Sequence, residues 1–102
     1  MNASQLRASV VGVGNTRYAT MPELDAYDLG LWALKDALED AGLDFSDIDG
    51  LILNRIPDYQ RFAELCGINP AYTLTTPGHG RFSGICIQTA AAVLQAGLAK
   101  TV

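Results

Sequence analysis

The chain has 102 residues, of which 49% are hydrophobic and 18% charged, with a formal net charge of −4. Those proportions exclude a disordered chain, and the acidic balance excludes a general nucleic-acid binder, which carries a basic patch. No uninterrupted apolar run reaches the roughly 18 residues of a membrane span, since Ile85–Leu98 is broken by Gln88, Thr89 and Gln95.

The first ten residues lack the charged start and apolar run of a secretory leader. Cys66 and Cys86 form no CxxC pair and stand with no histidine cluster. The expectation is therefore a reducing, cytoplasmic setting with no disulfide framework and no metal site.

Ala8–Val13 is a short β-branched run ended by Gly14 and Asn15, which predicts a buried first strand. An irregular stretch containing Met21-Pro22 follows. From about Asp25 to Ala41 the apolar positions Tyr27, Leu31, Leu34, Leu38 and Ala41 recur at threes and fours, the spacing of a helix with one buried face. Glu23, Asp25 and Asp28 suit its positive end, and Gly42 suits a left-handed cap. The acidic loop 44–50 feeds a strand at Leu51–Leu53. It lacks the ligand spacing of a calcium loop and reads as a solvated connection.

A shorter helix is expected over Asp58–Cys66, with Tyr59, Phe62, Ala63 and Cys66 inward and Gly67 at its end. Tyr72–Thr75 is the third strand. It leads through the Gly-rich turn 76–84 into a final helix reaching about Gly97, after which Thr101-Val102 begins another strand. Strand and helix alternating three times indicate an α/β layered fold, βαβαβα. The final helix is apolar nearly all round, and such a helix is normally covered on every side. Three strands and two other helices cannot wrap it. It reads as a membrane-surface or oligomer-contact helix, or as a central helix whose other cover, from a partner chain or further layers, is missing from 1–102.

Three features allow more than one reading. Gly12-Val13-Gly14 after a strand hints at dinucleotide binding, but Arg17 stands where the third glycine belongs. Trp32 and Tyr27 stand at helical spacing and suit packing better than a ligand platform. Cys86, flanked by Ile85 and Ile87, fits a small buried hydrophobe better than a nucleophile, as does Cys66 before Gly67.

Several segments, taken in order, resemble the thiolase family, and more closely its lipid-transfer or sterol-carrier thiolase-like branch. They are Val11-Gly12-Val13-Gly14-Asn15-Thr16, the helix end Ala37–Leu43, Asp47–Leu51, Gly80-Arg81-Phe82-Ser83-Gly84, and the closing Ala96-Gly97-Leu98-Ala99. The resemblance implies a dimeric, two-half acyltransferase acting on coenzyme A thioesters, with no further cofactor, of which 1–102 would be the N-terminal part. Active members of that family carry a cysteine three residues before the glycine of a Ser-Gly pair, at a helix N-terminus that favours its thiolate.

Three residues before Gly84 stands Arg81, which is no nucleophile because a guanidinium does not deprotonate in a protein. The family's base and second cysteine lie downstream of anything present. The resemblance thus implies a relative without thiolase turnover of its own, either a non-thiolytic aldolase or a coenzyme A-binding module completed by a partner chain. The substrate-facing candidates are His79, Arg81, Ser83 and Gly84. His79 would serve as acid, base or carbonyl donor, or stay a solvated turn residue. Arg81 would hold a carboxylate or phosphate beside free helix N–H groups, or turn to solvent.

Overall fold

The computed structural model describes residues 7–18, 20–76 and 82–102. Helix α1 spans Ala26–Ala41, one 3₁₀ turn spans Phe45–Asp47, strand β1 spans Gly50–Asn54, α2 spans Tyr59–Cys66, β2 spans Tyr72–Thr76 and α3 spans Phe82–Gln95. The α/β class expected from the sequence holds, while the layered βαβαβα arrangement is present only as this smaller set.

Local chemistry sets the helix ends. The Asp25 carboxylate accepts from the Asp28 N–H at 2.9 Å, and the Asp28 carboxylate accepts from the Asp25 N–H at 3.1 Å. This reciprocal box satisfies two donors that a helix start otherwise leaves unpaired. Gly42 closes α1 at φ 71, a left-handed conformation that glycine adopts without a side-chain clash. In the same way Asp58 caps α2 by accepting from the Gln60 and Arg61 N–H groups, and Gly67 closes it at φ 71.

β1 and β2 pair in parallel, with Gly50 opposite Tyr72 and Leu53 opposite Thr75, and α2 forms the crossover between them. The Asp49 carbonyl accepts from the Ala71 and Tyr72 N–H groups. By the alternation of a strand, Leu51 and Leu53 turn their backbone groups to β2, and Gly50 and Ile52 turn theirs to the opposite edge. Among the described residues no strand lies along that opposite edge.

The core lies where α1 and α2 cover this pair. Leu38, Leu51, Leu53, Ile56, Phe62 and Ile68 are buried together, and Tyr27, Leu31 and Leu34 pack against them. Burying side chains of this size contributes about 1.5–3 kcal/mol each. Tyr59, expected inward, is instead exposed. It opens α2, and Phe62, Ala63 and Cys66 fill the inner face without it.

Ala8–Val13 is not a strand. A strand needs a neighbour to accept its ladder, and among the described residues none lies beside this segment; Val10 is 77% exposed and Val13 67%. Residues 12–15 run instead along α1, antiparallel to it. The Val13 N–H donates to the Asp40 carboxylate at 3.0 Å and the Asn15 N–H to the Asp36 carboxylate at 3.2 Å. The spacings match, because two extended residues advance about 6.7 Å and four helical residues about 6.0 Å. Gly12 and Gly14 face the helix so closely that a Cβ on either would sit 2.3 Å from the Ala37 oxygen or 2.1 Å from the Ala33 oxygen. The two glycines therefore serve helix contact rather than a dinucleotide turn.

Thr101-Val102 is likewise not a strand, although the Thr101 carbonyl accepts from the Asp49 and Gly50 N–H groups at 3.1 Å each. In return the Asp49 carboxylate accepts from the Lys100 and Thr101 N–H groups at 2.8–3.0 Å. α3 packs on β1 with Val93 buried, and leaves Ile85 46% and Ile87 67% exposed. Among the described residues no helix is long and apolar enough to cross a membrane.

Candidate functional site

In an open α/β sheet the carboxyl ends of the strands form the crevice where ligands bind, because the loops leaving the strands splay apart there. In this chain that end collects Asn54 from β1 and Arg55 just after it, Thr75 and Thr76 from β2, and Cys86 from the second turn of α3.

Thr76 is the centre of the group. Its Oγ1 lies 3.2 Å from the Leu53 carbonyl, 3.2 Å from Asn54 Oδ1 and 3.7 Å from the Cys86 sulfur. A hydroxyl has one proton and two lone pairs. It therefore donates to one of the two oxygens and has a lone pair for the Cys86 S–H. All three groups sit at the parallel register that brings Asn54 beside Thr76.

Two cavities open nearby. One, of about 410 Å³, is bounded by Leu34, Ile52, Phe62, Cys86, Ile87 and Val102 and is mainly apolar. The second, of about 310 Å³, lies at the strand ends between Arg55, Ile56, Pro57, Thr75 and Thr76. Arg55 has φ 68, the single positive-φ residue other than glycine among those described. An L side chain in that region costs on the order of 1 kcal/mol or more and persists where its surroundings impose it.

His79 and Arg81 lie outside the described residues. Ser83 and Gly84 fall in the first turn of α3, both exposed, and a Cβ added at Gly84 would meet no atom within 4 Å. Cys86, expected to be buried, is half-buried and borders the larger cavity. Cys66 is buried as expected, and burial alone pushes its thiol up to about 11, so it remains a neutral core group at physiological pH. Tyr27 packs on the core, as expected, and its hydroxyl accepts from the Asp58 N–H at 3.1 Å. Among the described residues no cluster of His, Cys, Asp or Glu could hold a metal ion.

Residue patterns in the sequence do not single out Asn54, Arg55 or Thr76. The signal available is position: Asn54 ends the first parallel strand with Arg55 next to it, and Thr76 ends the second, which is where the crevice rule looks.

No family model matches the chain, and no curated protein matches it. Among solved structures it is similar to a chain of the "Ltp2-ChsH2(DUF35) aldolase", with 26% sequence identity and a TM-score of 0.78. The likeness covers 87% of this chain and 24% of that one, so the chain spans about a quarter of its neighbour's length. This corrects the resemblance to the thiolase family. No thiolase model matches, and the similar solved chain belongs to a protein described as an aldolase.

Proposed function

We propose that the chain forms one α/β layer of an aldolase-type protein that handles acyl-coenzyme A, with the mouth at the ends of β1 and β2 facing the thioester. The observation that carries this reading is the likeness, over most of the chain, to a solved chain from an aldolase.

The chemistry asked of such a site is cleavage of a carbon–carbon bond beside a thioester. A base removes the proton of a 3-hydroxyl, the Cα–Cβ bond breaks, and its electron pair passes to the thioester carbonyl as an enolate. Protonation at Cα then yields a shorter thioester and a carbonyl compound. An enolate oxygen needs donors aimed at it. The Thr76 and Cys86 protons are already engaged within the chain, so that role passes to His79 or Arg81, and the apolar cavity between Leu34, Phe62 and Ile87 suits an acyl chain. His79 and Arg81, between β2 and α3 in the sequence, and Ser83 and Gly84, in the first turn of α3, are assigned as the substrate-facing residues. His79 is the chain's single imidazole and its candidate base.

Saturable binding of a 3-hydroxyacyl-coenzyme A, displaced by the shortened thioester, is the expected result in calorimetry. Absence of saturation at millimolar ligand would overturn the reading. Acetoacetyl-coenzyme A with free coenzyme A should give no acetyl-coenzyme A above the buffer rate.

A second reading, a non-catalytic layer completed by a second copy or a partner chain, is favoured by the uncovered apolar residues Ile85, Ile87 and Leu98. Light scattering after size exclusion separates the two. A monodisperse monomer at all concentrations would sink this second reading.

A further inference from the structure

The second cavity at the strand ends has a feature the thioester chemistry does not use. Arg55 borders it, and its backbone is held at φ 68, where glycine would rest without strain. Strain of this kind concentrates at ligand-binding positions. Two other arginines, Arg61 and Arg17, are engaged within the chain. Arg61 lies 4.4 Å above the Tyr27 ring and 3.9 Å from the Asp25 carboxylate, and Arg17 lies 5.9 Å from the Trp32 ring centre. Arg55 is exposed, and among the described residues no carboxylate or aromatic ring lies against its guanidinium. Beside it stand the exposed Thr75, a hydroxyl donor, and Pro57, which closes one wall without adding an N–H.

We propose that this cavity is a phosphate-binding site, with Arg55 holding a phosphate of the coenzyme A moiety and Thr75 donating a second hydrogen bond. The assignment rests on the acyl-coenzyme A reading given above. A guanidinium presents a planar fork of N–H donors that matches two phosphate oxygens at once. A chain of net charge −4 repels a polyanionic ligand at long range, so a local cation at the crevice has to supply the attraction. The cavity of about 310 Å³ has room for a phosphate but not for a whole nucleotide and acyl chain. The acyl part is then left to the apolar cavity on the Cys86 side.

The test uses the chain itself with three probes: coenzyme A, pantetheine, which lacks the phosphates, and inorganic pyrophosphate. Arg55→Gly is the informative variant because glycine accepts φ 68, so the variant should fold at least as well as the parent. Coenzyme A is expected to bind at least tenfold more tightly than pantetheine, and Arg55→Gly to abolish that advantage while leaving pantetheine unchanged. Arg55→Lys, which keeps the charge but not the fork, should lose severalfold.

Coenzyme A binding that is indifferent to Arg55→Gly would overturn the site while leaving the acyl-coenzyme A reading intact. Pyrophosphate binding that depends on Arg55, without any binding of coenzyme A, would support the site and overturn that reading. Binding of none of the three would overturn both.

Discussion

Substituting alanine for Gly14 places a methyl group 2.1 Å from the Ala33 oxygen, 2.4 Å from the Ala37 nitrogen and 3.0 Å from Asp36 Cβ. Two of these atoms belong to the backbone of α1 and cannot swing aside. A carbon resting on a carbonyl oxygen needs about 3.3 Å, so the segment must retreat by roughly 1.2 Å. That distance carries the Asn15 and Val13 N–H groups, now at 3.2 and 3.0 Å, out of hydrogen-bonding range of Asp36 and Asp40.

Overpacking in a closed core costs about 1–3 kcal/mol, but this contact is not closed. Val10, Val11 and Val13 are exposed, so the segment can lift off with little loss of apolar burial. The ceiling on the cost is therefore the two hydrogen bonds to carboxylates, together about 3–6 kcal/mol, and their exposure brings the expected cost to the low end. The signature is local: amide exchange of Val13 and Asn15 should rise to near the free-peptide rate while Leu51 and Leu53 stay protected. Gly84→Ala, with no atom in the way, is the control. Unchanged protection of Val13 and Asn15 in Gly14→Ala would refute the close approach.

Three further outcomes are expected. Phe62, 2% exposed at the centre of the core, should cost about 3–5 kcal/mol on replacement by alanine, read as a lowered urea midpoint; a change under 1 kcal/mol would mean the core is not packed around it. The Asp49 carboxyl is held below its ordinary 3.8 first by the Thr101 N–H and then by the Lys100 N–H, against the opposing effect of burial. A depressed folded pKa stabilises above the unfolded value and is lost as pH falls through the folded one, so acid loosening of residues 100–101 should appear below about pH 3.8 and be absent in Asp49→Ala, where exchange at those amides is fast throughout. Finally, Cys86 should react with a thiol reagent under native conditions while Cys66 reacts only after unfolding; equal rates for both would contradict the burial of Cys66.

Much of the helical frame could be read in the sequence because its signals are local. Asp25 with Asp28, Gly42, Asp58 and Gly67 act within a turn of where they stand, and they mark the ends of α1 and α2. β1 and β2 were legible as short apolar or β-branched runs. Ala8–Val13 carries an equally strong run and is not a strand, because propensity is a property of the residues while pairing is a property of the neighbours. Its alternating glycines were visible, but their use depends on the facing carboxylates of Asp36 and Asp40, some twenty-odd residues away. The mouth at Asn54, Arg55 and Thr76 was hidden for a similar reason. Only the parallel register brings Asn54 beside Thr76, and register cannot be read from either strand alone.

The outer edge of β1 is taken at Gly50 by the Thr101 carbonyl, and beyond it Ile52 turns its backbone groups away from β2, with a consequence for how firmly the chain holds together. An extended backbone laid along that edge would pair with the folded chain and not with the unfolded one. Each such binder shifts the equilibrium by RT ln(1 + [L]/Kd), about 2.7 kcal/mol at a hundredfold excess over Kd. With such a binder present, the stability measured for this sequence would be a function of the solution around it, rising with the logarithm of the binder's concentration.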